Sequence, residues 1–163
     1  MSTKLEIEKK FIVKGLPNKP LYDVVKIEQF YWKNSAGIWE RARIWDSSKD
    51  GKKWIHTIKT PAGKGANIEE EHDLTELEFT AFVERSKRDE GKHLSKVRNI
   101  YIDENRMKWE VDVFNEVHLI IAEVELPKKN FSLKIPRFMK QIILLEVTNL
   151  KQFGNRSLAN KLN

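Results

Sequence analysis

Charged side chains recur at every second position, segment after segment, along stretches that otherwise read as β-strand. Glu6, Glu8 and Lys10 begin the series. Arg41 with Arg43, Glu69 with Glu71, Lys96 with Arg98, Glu110 with Asp112 and Glu123 with Glu125 continue it. Successive side chains on a strand point to opposite faces, so each i, i+2 pair stands on one side of its sheet. One or two such pairs describe a solvated face. A series of this length and mixed sign points instead to a shared polar interior.

The rest of the sequence bounds that reading. At 163 residues, 40% of them hydrophobic and with five Trp and eight Phe, the chain is expected to form one domain over 1–163 with a substantial core. It has no cysteine, which excludes disulfides and thiolate metal sites and fits a reducing compartment. No apolar run reaches membrane-spanning length, and Met1-Ser2-Thr3-Lys4 leads straight into a strand, so a soluble cytoplasmic protein is expected. The net charge of +6 invites a nucleic-acid partner, but 24 acidic residues lie among the 30 basic ones. That mixing argues against nucleic acid and membrane as partners and leaves a small polyanion. A monomer or homodimer is expected.

Strand patterns fall at about 4–14, 24–33, 37–46, 52–60, 66–74, 93–103, 106–114, 118–126 and 141–148, separated by turn signals such as Asn34-Ser35-Ala36-Gly37 and Pro61-Ala62-Gly63-Lys64-Gly65. A helix is predicted from Thr75 to about Lys87, with Thr75 and Glu78 spaced as a capping box and Leu77, Phe79, Phe82 and Val83 on its apolar face. Shorter helices are predicted at 136–140 and 157–162. Short connections favour antiparallel pairing, and many consecutive antiparallel strands tend to close and remove their edges.

A closed sheet would turn Ile7, Phe11, Val13, Val111, Val113, Val124 and Leu126 outward and Glu6, Glu8, Glu123 and Glu125 inward. Unpaired carboxylates in a dry interior are too costly, so they must meet water, protons or cations. Lys10, Arg41, Arg43, Lys59, Lys96 and Arg98 supply the opposite charge. Cations toward one wall and acids toward the other suit a polyphosphate held between them with a carboxylate-bound divalent cation; Mg²⁺ prefers such oxygen ligands.

Glu6-x-Glu8-x-Lys10 resembles the ExExK signature of the CYTH domain, the triphosphate tunnel metalloenzyme superfamily. Gln29-Phe30-Tyr31, Glu40-Arg41-Ala42-Arg43, Thr57-Ile58-Lys59, Glu69-Glu70-Glu71 and Lys96-Val97-Arg98 resemble its later segments in order. Trp109 to Phe114, Ala122 to Glu125, Glu146-Val147-Thr148, Asn155 and Ser157-Leu158-Ala159 complete the match. The resemblance implies a mainly β (α+β) fold: a closed eight-stranded antiparallel β-barrel tunnel with a few flanking helices. It further implies Mg²⁺ or Mn²⁺ as cofactor and a small-molecule triphosphate as substrate. Lys10, Arg41, Arg43, Lys59, Lys96 and Arg98 would contact phosphate. Glu6, Glu8, Glu123 and Glu125 would hold metal, assisted by Asp112 and the Glu69/Glu71 pair. Asn67 departs from the Arg that the family often carries two residues before its ExE, which removes one phosphate contact.

The implied reaction is metal-dependent hydrolysis of a terminal phosphoanhydride, with inorganic tripolyphosphate the first substrate and no covalent intermediate. Glu6, Glu8, Lys10 and Lys59 form the candidate catalytic group, and either lysine could protonate the leaving phosphate. A class IV-type adenylate cyclase, a thiamine triphosphatase and a non-catalytic polyphosphate- or nucleotide-binding module are the alternatives. Glu110 reads as a surface or cross-strand partner. His56, His72, His93 and His118 lack zinc-site spacing. Trp32, Trp39, Trp45, Trp54 and Trp109 read as core or flank.

Overall fold

In this computed structural model, residues 2–63 and 65–162 are described; Lys64 of the predicted 61–65 turn lies outside them, as do Met1 and Asn163. The predicted first strand divides. β1 (Ser2–Glu6) and β2 (Glu8–Val13) are one run broken at Ile7, because its halves choose different neighbours. β1 pairs with β6 (Asn67–Leu74), whereas β2 pairs with β9 (Ile120–Glu125). Between them run β3 (Asp23–Lys33), β4 (Trp39–Ser47), β5 (Gly51–Pro61), β7 (Lys92–Ile102) and β8 (Lys108–Phe114), all antiparallel to their neighbours.

The expected closed ring of eight strands is corrected here. Among the described residues the sheet has eleven strands: with β10 spanning Ile143–Glu146, the order is β1-β6-β5-β4-β3-β7-β8-β9-β2-β10, β11 (Asn160–Lys161) lies beside β7, and the path has two ends. Its ends stay unpaired because β10, rather than β6, occupies the second edge of β2. Backbone continuity through Ile7 joins the two halves of the sheet, and the Ile7 carbonyl accepts from Leu126 N at 2.7 Å.

Register decides what faces inward, since directly opposed residues of a ladder share a face. Arg41 stands opposite Thr57 and Tyr31, Lys59 opposite Glu69, Arg98 opposite Asp112, and Glu123 opposite both Lys10 and Glu110. The charged alternation thus occupies one continuous concave face. The apolar partners turn outward and are covered there. Phe11, Val111 and Val124 pack beneath the 126–142 segment, with Met139 and Ile142 fully or nearly buried.

The other outer face is covered by α1 (Glu76–Arg88), which packs Phe79 and Phe82 on Ala42, Phe30 and Trp54. Its predicted capping box is present: Glu78 N donates to Thr75 Oγ1 at 3.1 Å, and Thr75 N donates to Glu78 Oε1 at 2.9 Å. Leu77, placed on the apolar face by its spacing, is 80% exposed instead, one position too early to reach the sheet. The predicted 136–140 helix is α2 (Arg137–Lys140). The last helix, α3 (Asn155–Leu158), starts two residues before its predicted span and gives way to β11. Among the described residues, no helix is long and apolar enough to cross a membrane.

Apolar groups close one end of the concave face. Tyr31, Leu94, Phe114 and Ile121 point in from the sheet, and Phe153, Leu158 and Ala159 of the C-terminal segment pack against them. The opposite end is open.

Candidate active site

Above that apolar floor lies a cavity of about 700 Å³, walled by β1, β2, β4, β5, β6, β7, β8 and β9. Of the residues predicted for the site, Glu6, Glu8, Arg41, Arg43, Lys59, Glu69, Glu71, Arg98, Glu123 and Glu125 line it. Lys10, Lys96 and Asp112 share the inward face but sit below the lining.

Charges are grouped by wall. On the β1–β5–β6 side, Lys59 Nζ lies 2.7 Å from Glu6 and 3.6 Å from Glu69. Burial pushes Glu69 upward, and the neighbouring Glu6 carboxylate adds to it. Glu6 goes the other way: Lys59 outweighs its burial and holds it low. On the β2–β9 side, Lys10 Nζ lies 3.6 Å from Glu123 and 3.9 Å from Glu8. Burial and then the Glu123 carboxylate drive Glu8 well above the usual carboxylate range. Glu123 is also buried, yet Lys10 and Arg98 hold it far below that range. One lysine thus stands between a carboxyl driven up and a carboxylate held down.

The cationic wall is less evenly matched. Arg98 is fixed by Asp112 through Nε and Nη2, both at 2.8 Å, and by Glu110 at 3.0 Å. Lys96 Nζ lies 2.7 Å from the same Asp112, whose side chain is fully buried. Two cations therefore already neutralise Asp112, which was expected to assist a metal. Even beside Asp112, burial lowers Lys96 to about 8. Arg43 has Glu71 at 3.2 Å, but burial and the positive charge of Arg41 bring it down to about 9. Arg41 has no carboxylate within 4.0 Å among the described residues. The Nε atoms of both Arg41 and Arg43 are buried without a partner. Buried guanidinium donors left unpaired are costly and mark a place where an anion belongs.

A reading limited to the named motifs missed two neighbours of this site. Trp45 lies beneath Arg43 and Arg98, at 5.4 and 5.9 Å from ring centroid to guanidinium, and Lys4 reaches Glu125 at 3.0 Å. The signal was the alternation itself, carried one step further: Lys4 before Glu6 and Trp45 after Arg43. Glu110, expected as a surface or cross-strand partner, pairs with Arg98 across β7 and β8 and lines the cavity.

No family model matches the sequence, and no curated protein matches it. Solved structures do. The inorganic triphosphatase NE1496 superposes with a TM-score of 0.63 at 23% identity, covering 94% of this chain and 96% of that one. The chain shares the fold of that protein. PH1819 protein from Pyrococcus horikoshii OT3 has it too, with a TM-score of 0.56 at 17% identity over 77% of this chain and 80% of that one. So does HpAC1 from Hippeastrum, named an adenylyl cyclase and described with a dominant triphosphatase activity, at 0.52 and 14% over 76% and 80%.

The donor set bears on a divalent cation. Glu8 with Glu123 and Glu6 with Glu69 each gather two carboxylates around one lysine, and burial together with the neighbouring acid pushes Glu8 and Glu69 upward. Among the described residues no three acidic or imidazole groups converge as a ready-made metal cage. Two-carboxylate sites completed by water and phosphate oxygens are what Mg²⁺ commonly takes, so the residues fit it.

Proposed function

We propose that the chain is a divalent-metal-dependent hydrolase of a triphosphate, inorganic tripolyphosphate first, cleaving its terminal phosphoanhydride inside the cavity. One observation carries the reading: Arg41 and Arg43, buried and with unpartnered Nε donors, face acid pairs that also lack enough positive charge. A polyphosphate satisfies the first and a bound Mg²⁺ or Mn²⁺ the second.

Arg41, Arg43 and Arg98 would hold the phosphate oxygens, with Lys59 reaching the chain from β5, the strand beside Arg41 and Arg43. Lys96 and Asp112 fix the Arg98 fork, so its donors are aimed before substrate arrives. Glu8 and Glu123, with Glu6, Glu69 and Glu125, would hold the metal, which when bound supplies charge neutralisation and an acidified water. Glu8 is the residue that gives up its proton as the cation enters. Water attack forms one P–O bond and breaks the bridging P–O bond, releasing orthophosphate and pyrophosphate. Burial would lower Lys10, but the Glu123 and Glu8 carboxylates outweigh it and hold the lysine above its usual range; Lys59, 2.7 Å from Glu6 at the cavity wall, is the better placed to give a proton to the leaving oxygen.

The test is phosphate release from tripolyphosphate, thiamine triphosphate and ATP with Mg²⁺ and Mn²⁺, together with an assay for cyclic AMP. Metal-dependent orthophosphate release that is fastest on tripolyphosphate supports the reading. Cyclic AMP as the main product, or tight calorimetric binding with every substrate intact, replaces it with a cyclase or a binding module.

A further inference from the structure

Three cations at the open end of the cavity have no work in holding a triphosphate. Lys53 on β5 and Arg106 and Lys108 on the β7–β8 hairpin line the cavity and are exposed. None has a carboxylate partner among the described residues, unlike Lys4, Arg43, Lys59 and Arg98 further along the wall. Lys53 is held over Trp45, 5.9 Å from its ring centroid.

Arg106 is set there at a conformational cost. Its φ is +62°, a left-handed backbone that an arginine adopts unwillingly. Buried Asp103 enforces the turn: its Oδ1 accepts from Asn105 N at 2.8 Å and Met107 N at 2.9 Å, and its Oδ2 accepts from Trp109 Nε1 at 3.0 Å. A rigid hairpin thus holds Arg106 and Lys108 at the mouth. The other end is filled by Phe114, Ile121, Phe153 and Leu158, which leaves the end lined by Lys53, Arg106 and Lys108 as an entry.

We propose that the cavity takes linear polyphosphates longer than three phosphates, end first, with Lys53, Arg106 and Lys108 binding the phosphates that remain outside. This rests on the polyphosphate reading of the cavity and adds chain length and direction to it. Each turnover adds water across the terminal anhydride, releasing orthophosphate and a chain one phosphate shorter. Internal linkages cannot reach the acid pairs, because the floor stops a chain from passing through.

The experiment compares tripolyphosphate, linear pentaphosphate, adenosine 5′-tetraphosphate with one free end, and a dinucleoside tetraphosphate with none. The wild type is expected to show a lower KM for pentaphosphate than for tripolyphosphate, to shorten the one-ended substrate from its free end, and to leave the two-ended one intact. A Lys53→Gln/Arg106→Asn/Lys108→Gln variant, with Asn chosen because it tolerates the left-handed turn, should raise the pentaphosphate KM about tenfold. Its tripolyphosphate kinetics should stay within about twofold of wild type, roughly the spread expected when distant sites act independently. Cleavage of the doubly blocked substrate, or an equal KM change for both chain lengths, overturns the proposal while tripolyphosphate hydrolysis stands. If nothing is hydrolysed, calorimetric affinities of the two chains for wild type and variant decide it, and equal affinities overturn it.

Discussion

Glu8 and Glu123 set a cost in folding against the metal-holding role proposed for them. Glu8's folded pKa lies above its unfolded value, from burial and then from Glu123, so its linked stability is present in acid and lost as pH rises through the folded value. Glutamine mimics the protonated acid and loses nothing. Glu8→Gln should therefore melt higher than wild type, by a margin that widens toward alkaline pH, while metal-dependent turnover falls about a hundredfold or more. Thermal melts across pH would show it; a constant or reversed margin would refute the upward shift of Glu8. The arginines separate in a similar way. Arg98→Gln leaves fully buried Asp112 with Lys96 alone, and breaking such a pair costs about 3–5 kcal/mol. Arg41 holds no acid, so Arg41→Gln should leave denaturant stability nearly unchanged and raise KM about tenfold. Equal destabilisation of the two variants would remove the distinction between brace and ligand. At this scale the sequence was most legible: alternation named ten residues that line the cavity. It was silent on depth, because Asp112 alternates like its neighbours yet is consumed by two cations.

Among the elements, the ones with local chemistry were the ones that could be read. α1 carries its own start signal in Thr75 and Glu78, and the chain obeys it. The break at Ile7 has no such signal: Leu5-Glu6-Ile7-Glu8-Lys9 alternates straight through, and only the competition between β6 and β9 for one N-terminal run divides it. The same competition put β10 on the second edge of β2 and left the expected ring with two ends. Since α1 packs on the outer face of β3, β4, β5 and β6, away from the charged interior, its contribution should be stability alone. Thr75→Ala, which removes the hydroxyl that caps Glu78 N, should cost about 1 kcal/mol with turnover per folded molecule unchanged. A drop in turnover without a drop in stability would mean that the helix acts on the cavity.

For the whole molecule, the charged interior is an unfinished balance. The acids of one wall lack positive charge and the arginines of the other lack negative charge, so each ligand completes the site for the next. That makes metal and polyphosphate binding reciprocal: whatever factor Mg²⁺ adds to polyphosphate affinity, polyphosphate must add to Mg²⁺ affinity, and couplings of this kind run to about 1–3 kcal/mol. Calorimetric titration of each ligand with and without the other measures both factors, after subtracting the association of Mg²⁺ with tripolyphosphate in buffer. The coupling should be lost in Glu123→Gln, which removes the acid nearest both Lys10 and the proton on Glu8. It should persist in Thr75→Ala, whose change lies on the outer face. Independent binding of the two ligands in the wild type would mean that the two charged walls, though they face each other, do not share one site.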